Sequence, residues 1–222
     1  MTFYDRLLRE TAGDREAFLA IPLVRHAIAH GASRGLYRKF LAQAYHHVKH
    51  TFPLLALAAS RTDDERYQDA LVEYMREERG HEKWILDDLR ARGGDVEAER
   101  NGSPRLPCRI MVGYAYYAVE RVSPYALLGS VHVLEGMSVH LADRLADALQ
   151  SSFAASGGDG FSYLRSHGSL DKSHVDFFKA LVDGFDDEAT LALIVEQARV
   201  FYRLYGDIFR DLGVQAELPN AA

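Results

Sequence analysis

The sequence predicts an all-α protein that folds as one bundle-like domain. Apolar residues recur at intervals of three and four along most of the chain, which is the period of an amphipathic helix. No stretch alternates apolar and polar residues with the period of two that a half-buried strand requires. The 222 residues, 48% of them hydrophobic, suffice for one sizeable core, and no linker long enough to separate domains divides them.

About seven main helices follow from this period and from residues that begin or end helices. Pro53 is expected to kink a helix that covers residues 33–60. Gly93 and Gly94 are expected to end the next helix, and Ser123–Pro124 to begin a later one. The domain is predicted to cover residues 1–214, with 215–222 as a loose tail. The expected helices are two short ones at residues 3–11 and from 22, and longer ones at 33–60, 62–92, from 108 to a pause at 123, 124–150, 161–182 and 187–212.

Composition excludes several classes of protein. The formal net charge of -6 gives no basic face for nucleic acid. Cys108 is the single cysteine, which excludes an internal disulfide framework and fits a reducing compartment. The first residues lack the apolar core of a signal peptide, and no apolar run reaches the roughly 18 residues of a membrane span. These features predict a cytoplasmic protein with no membrane or nucleic-acid partner, and they leave a homodimer open.

The clearest chemical motif is His167-x-x-x-Asp171-x-x-His174. Positions i, i+4 and i+7 of a helix lie within roughly 60° of one another, so these three side chains share one stripe. Apolar neighbours such as Phe177 and Phe178 indicate that part of this helix is buried. A mixed nitrogen and oxygen donor set suits iron, manganese or zinc. The alternative is a solvated polar stripe on a surface helix.

The second motif is Glu78-x-x-His81, the i, i+3 pairing found in carboxylate-bridged dimetal bundles. Its neighbours are mostly charged, so by itself the motif also fits a solvated helix face. Trp84 and nearby aliphatic residues mark a buried side of this helix that includes His81. Glu77, one turn before His81, is a rival for the carboxylate role.

Glu135 is a carboxylate in a helix that is otherwise apolar or small, apart from His132. An unpaired buried carboxylate is costly, and a metal ion compensates for that cost. The alternatives are a pair with His132, three residues earlier, or with an arginine from another helix. Together the three motifs supply three histidines and three carboxylates, which suits two oxygen-reactive metal ions better than a structural zinc site.

The order ExxH, then Glu, then HxxxDxxH resembles the heme-oxygenase-like diiron oxidases and oxygenases, relatives of the TenA and PqqC proteins. The gaps of 54 residues from His81 to Glu135 and of 32 residues from Glu135 to His167 are similar to those of this family. The stretches around Glu78 and around Asp171 also look like the family's metal-binding helices. The resemblance covers roughly residues 35–210.

This resemblance implies a seven-helix heme-oxygenase-like fold, two non-heme iron ions and O2 as co-substrate. It further implies a small carboxylate-bearing substrate, a fatty acid or an amino acid. Many members carry a glutamate seven residues before the first histidine, where this chain has Tyr74. The metal ligands implied are Glu78, His81, Glu135, His167, Asp171 and His174, and the residues expected around them or in the pocket wall are Glu77, Tyr74, His132, His47 and His50.

Three other functions are weighed against this one. A TenA-like metal-free hydrolase needs a cysteine nucleophile, and only Cys108 could supply it. A non-catalytic regulatory or interaction protein would use the helical surface alone. A heme-degrading enzyme needs one histidine ligand and room for porphyrin instead of a cluster of carboxylates.

Overall fold

The computed structural model describes residues 2–153 and 160–216, and for residues 167–172 it describes the backbone alone. Twelve α-helices occupy these described residues, and no strand is present among them, so the all-α prediction is confirmed. None of these helices is both long and apolar enough to cross a membrane. The helices are α1 (Phe3–Glu10), α2 (Ala12–Leu19), α3 (Pro22–His30), α4 (Arg34–Val48), α5 (Thr51–Ala59), α6 (Glu65–Glu78), α7 (His81–Ala91), α8 (Val96–Asn101), α9 (Leu106–Tyr117), α10 (Leu127–Ser152), α11 (Ser162–Val182) and α12 (Glu188–Gln215).

The expected number of about seven main helices is too low. Two of the eight expected segments are each divided, and α2 and α8 were not expected. The stretch 33–60 forms α4 and α5, with Pro53 as the third residue of α5. A proline in the first turn costs no helical hydrogen bond, since the N–H groups there have no partner within the helix. The stretch 62–92 forms α6 and α7, divided at Gly80, whose φ of +99° lies in the left-handed region.

Two other expected boundaries also change. The segment 95–107, expected as a loop, contains α8, whose N-terminal N–H groups donate to the Asp95 carboxylate. The last helix runs to Gln215, so the predicted start of the tail at residue 215 is still helical. Of the predicted tail, residues 217–222 lie outside the described part of the chain.

Helix α10 is the central element of the bundle, and it packs along α11 and α12. The approach to α12 is close at Gly129, where a Cβ atom would lie 2.5 Å from Cβ of Gln197. Only a glycine allows the two helix backbones to come so near. Around this centre, α4 packs against α7 and α5 against α6.

The N-terminus of α11 is held by a carboxylate from α7. The Asp88 carboxylate accepts hydrogen bonds from the Ser162 backbone N–H (2.9 Å), the Ser162 hydroxyl (2.7 Å) and the Tyr163 backbone N–H (2.8 Å). These two N–H groups belong to the first turn of α11 and have no acceptor within the helix. Burial raises the pKa of Asp88, and the three hydrogen bonds act in the opposite direction. Asp88 therefore ties the helix of His81 to the helix of His174.

Replacing Asp88 with asparagine should lower the free energy of unfolding by about 1–3 kcal/mol, because an amide accepts fewer hydrogen bonds and carries no charge. Urea unfolding measures the effect. The matched control is Asp87→Asn, since exposed Asp87 pairs only with Arg90 among its recorded polar contacts and should change stability by less than about 0.5 kcal/mol. An equal decrease in the free energy of unfolding of the two variants would show that Asp88 has no special role in joining α7 to α11.

Candidate metal centre

Four of the predicted metal ligands converge from four helices. Glu78 ends α6, His81 begins α7, Glu135 lies on α10 and His174 on α11. His81 Nδ1 lies 3.2 Å from a Glu78 carboxylate oxygen. Nδ1 of His174 lies 3.6 Å from the other Glu78 oxygen and 3.9 Å from a Glu135 oxygen. All four side chains are buried or nearly so, and the distances place Glu78 between the two imidazoles.

The meeting of Glu78 and His81 has a different structural basis from the one expected. The sequence spacing predicted that both residues lie one turn apart on a single helix. This prediction is wrong, because α6 ends at Glu78 and α7 begins at His81, with Arg79 and Gly80 between them. The left-handed backbone of Gly80 turns the chain so that the last residue of α6 and the first of α7 still face each other. The Trp84 indole stacks on the His81 imidazole, with ring centroids 4.2 Å apart, and restrains that ring.

The structure distinguishes Glu77 from Glu78. The Glu78 side chain is 11% exposed and faces both imidazoles, whereas that of Glu77 is 43% exposed. The Glu77 carboxylate lies 2.9 Å from Nε2 of His174, on the side of the ring away from Glu78. Neighbouring residues of a helix point about 100° apart, which explains why one glutamate faces inward and the other outward.

Tyr74 lies one turn before Glu78 on α6 and is almost completely buried. Its ring meets that of His174 edge-on at a centroid distance of 6.3 Å. Burial raises the pKa of Tyr74 well above its usual value, and the negative charges of Glu135 and Glu78 raise it further. Where many relatives of the predicted type have a carboxylate, this chain therefore places a neutral phenol.

His132 and Glu135 lie one turn apart on α10. Nε2 of His132 lies 3.4 Å from the Thr11 hydroxyl, and its ring stacks on Phe178. Burial, together with the positive charge of Arg15, lowers the pKa of His132 to about 4. His132 is therefore a neutral core residue at physiological pH, and its recorded contacts lie toward α1, α11 and α12.

The three neighbouring histidines near the end of α4 have different surroundings. His47 lines a cavity, and its ring meets that of Tyr205 edge-on with the ring centroids 5.9 Å apart. His46 lies beside Lys49 (3.2 Å), and burial lowers its pKa to about 4. His50 is hydrogen-bonded through Nδ1 to the Tyr116 hydroxyl at 3.0 Å. Of the pocket residues expected on this segment, His47 is the one that borders the cavity.

The cavity begins at the predicted metal ligands and continues into the apolar core. Tyr74, Glu78 and Glu135 form part of its wall. The rest is mainly aliphatic and aromatic, and includes Leu55, Met111, Val131, Leu141, Phe201 and Phe209. The sequence does not reveal this cavity, because its wall residues lie on eight different helices and have the same apolar period as ordinary core residues.

The side chains of His167 and Asp171 lie outside the described part of the chain, although the backbone places both residues on α11 with His174. Among the side chains that are described, no group of three or more His, Cys, Asp or Glu residues is arranged to hold a metal ion. The chemistry of the convergent donors nevertheless fits one. Two carboxylates and two imidazoles, buried together, form a nitrogen and oxygen set that suits iron or manganese, and a cation offsets the cost of burying the carboxylates.

Comparison with protein families identifies the chain. A family model described as "Iron-containing redox enzyme" matches residues 38–206, a span that contains all six predicted ligands. The chain belongs to the iron-containing redox enzyme family. The resemblance seen in the three motifs is thereby confirmed. No curated protein sequence matches this family member.

Solved structures show that this iron-containing redox enzyme family member has a heme-oxygenase-like fold. It is similar to a Shewanella denitrificans domain of unknown function with that fold (TM-score 0.86, 20% identity, 99% of this chain and 97% of the other). It is also similar to heme oxygenase-1 of Synechocystis in complex with heme (0.76, 14%, 98% and 95%). A third similar structure is a TenA homologue from Pseudomonas syringae (0.76, 12%, 96% and 93%). At these identities the likeness establishes the fold alone.

The low pKa of His132 predicts a pH dependence of stability. The unfolded chain protonates this histidine below about pH 6.5, whereas the folded protein does so only near pH 4, so stability falls as the pH drops between these values. His132→Phe removes this contribution. Between about pH 7.5 and about pH 5 the wild type should lose about 2 kcal/mol more of its free energy of unfolding than the variant.

Urea unfolding at the two pH values gives this difference. His26 is exposed on α3, and His26→Asn is the control that should keep the wild-type loss. If His132→Phe also keeps that loss, His132 does not carry the pH dependence.

Proposed function

We propose that this member of the iron-containing redox enzyme family is a non-heme diiron oxidase or oxygenase that uses O2 to oxidise a carboxylate-bearing substrate. The observation that carries the proposal is the convergence of Glu78, His81, Glu135 and His174 at the wall of an apolar cavity. His167 and Asp171, on the same helix as His174, are the expected remaining ligands. When bound, the two iron ions would supply the binding and reduction of O2.

The protein's own part in this chemistry is to hold the ligands and to exclude water. Glu78 faces His81 and His174 from one position, so it can serve both halves of the site. Trp84 restrains the His81 ring by stacking. Tyr74 closes the site on the α6 side and, as a neutral phenol, keeps its proton at physiological pH. These roles follow from contacts among the protein's own residues.

The cavity favours a fatty acid over an amino acid as the substrate. Among the described residues that line it, neither lysine nor arginine is present, and the polar groups are few beside the aliphatic and aromatic ones. Such a wall gives an alkyl chain an environment free of water. Glu78 and Glu135 are the carboxylates of the wall, and as ligands of the proposed iron ions they would not be available to pair with the ammonium group of an amino acid. His47, in the same wall, is the cavity group that could become cationic toward a substrate carboxylate.

A metal-free hydrolase mechanism has little support in the structure. Cys108 is buried, its thiol donates to the Gln43 carbonyl oxygen at 3.6 Å, and burial raises its pKa to about 11. A thiol with this pKa is a poor nucleophile at neutral pH. Cys108 is also not among the residues that line the cavity.

Anaerobic titration with Fe(II) tests the metal site. Trp84 is the single tryptophan of the chain and stacks on His81, so its fluorescence should report binding. We expect about two iron ions per chain, fewer in Glu78→Ala, and the wild-type number in Glu73→Ala, a carboxylate that pairs with Arg76 on the outer side of α6. Addition of O2 to the loaded protein should then consume O2.

Two results would contradict the proposal. One is an absence of iron uptake by the wild type. The other is equal uptake by Glu78→Ala and the wild type together with stoichiometric binding of hemin, which would favour a heme enzyme instead. The hemin arm is needed because similar solved structures include a heme oxygenase in complex with heme.

The substrate class can be tested by narrowing the cavity. Ala115 is buried in its wall, so Ala115→Leu should shorten the longest fatty acid that binds, at a stability cost of about 1–3 kcal/mol from overpacking. Calorimetry of the anaerobic Fe(II)-loaded protein with octanoate through hexadecanoate, and with free leucine, measures this. Ala29→Leu, at an exposed position on α3, is the control. Tighter binding of leucine than of every fatty acid would overturn the substrate assignment.

A further inference from the structure

The His174 ring has carboxylates on both of its edges. Nε2 lies 2.9 Å from an oxygen of Glu77, which is a hydrogen-bonding distance. Nδ1 faces Glu78 at 3.6 Å and Glu135 at 3.9 Å. The ring itself is buried, with 3% of the side chain exposed, so these neighbours rather than bulk water determine where its proton lies.

Glu77 is the carboxylate nearest to the ring, at 2.9 Å from Nε2 compared with 3.6 and 3.9 Å on the Nδ1 edge, so its charge favours a proton on Nε2. A neutral imidazole has one N–H donor and one lone-pair acceptor, and an ionised carboxylate can only accept. When the ring is neutral, a proton on Nε2 directed at Glu77 leaves the lone pair on Nδ1. That lone pair points to the side of Glu78 and Glu135, where a metal ion would need it.

We propose that Glu77 is a positioning residue that holds His174 as the Nε2–H tautomer, with Nδ1 directed at the metal ligands Glu78 and Glu135. The role in metal binding rests on the proposed function, whereas the tautomer is a property of the metal-free protein. Carboxylates that accept from the outer nitrogen of a ligating histidine fix its ring and increase its basicity. The adjacent residues Glu77 and Glu78 thus have separate tasks on the two edges of one imidazole.

Glu73 provides a matched control on the same helix. Its side chain is 46% exposed, close to the 43% of Glu77, and it lies one turn earlier on α6. Glu73 forms an ion pair with Arg76 at 3.0 Å and forms none with His174. Loss of Glu73 removes the same charge from the same helix without touching the imidazole.

Nitrogen-15 NMR of the metal-free, histidine-labelled protein tests the tautomer directly, with His174→Gln used to assign the signals. The wild type and Glu73→Ala should show His174 protonated on Nε2. Glu77→Ala should lose this preference, whereas Glu77→Gln should retain it, because the amide oxygen can still accept. An Nδ1–H tautomer or a doubly protonated ring in the wild type, or the same tautomer in Glu77→Ala as in the wild type, would overturn the proposal.

Affinity for Mn(II), followed by Trp84 fluorescence, tests the consequence. Glu77→Ala should bind about 10- to 100-fold more weakly than the wild type, with Glu77→Gln closer to the wild type and Glu73→Ala equal to it. A weaker affinity without any change of tautomer would overturn the positioning role, since Glu77 would then act as a ligand itself. If the wild type binds no metal ion, the proposed function fails, and the NMR result alone decides the role of Glu77.

Discussion

Burial of ionisable side chains is the constraint on which the rest of this structure depends. Glu78, His81, Glu135 and His174 face one another between α6, α7, α10 and α11, where water contributes little to their solvation. Carboxylates in such a place raise the energy of the fold unless positive charge or hydrogen bonds compensate for them. The helices around the cluster must therefore be held firmly enough to keep donors and compensating groups in place.

The scaffold meets this demand at its helix ends and helix contacts. The break at Gly80 lets α6 end and α7 begin within the site, so that two donors three residues apart face each other. Asp88 binds the first turn of α11 to α7, which connects the helices of His81 and His174. Gly129 allows close approach of α10 to α12 and so positions the helix that carries Glu135. Each of these features fixes the course of a helix backbone and thereby positions a side chain of the site.

The two sides of the cluster differ in their surroundings. On one side the donors open onto a cavity with an apolar wall, and on the other the partly exposed Glu77 contacts the outer edge of His174. The negative charge of Glu77 therefore acts on His174 from the solvent side of the bundle, whereas the cavity wall beyond Glu78 and Glu135 is mainly apolar. This asymmetry is compatible with the proposed function, in which an apolar substrate would approach from the cavity and Glu77 would orient His174 from the other side.

The helical class, most helix positions and the family could be predicted from the sequence, because the apolar period and the three spaced motifs are local properties of the chain. The number of helices could not, since a break such as that at Gly80 depends on whether a left-handed residue is stabilised by packing from both sides. His81, Glu135 and His174 could be predicted as metal ligands from the sequence, because their residue types are unusual for their neighbourhoods, and the structure brings the three side chains together. It left Glu77 and Glu78 as rivals.

Only the tertiary structure showed which of those two glutamates faces inward, and only it revealed the cavity. Which glutamate faces inward depends on where α6 ends and on how α11 lies across it, and both are set by contacts between residues far apart in the sequence. The cavity is formed by residues of several helices, each of which looks like ordinary core. Sequence patterns record what each segment needs to bury, whereas the relative placement of segments determines what those buried groups meet.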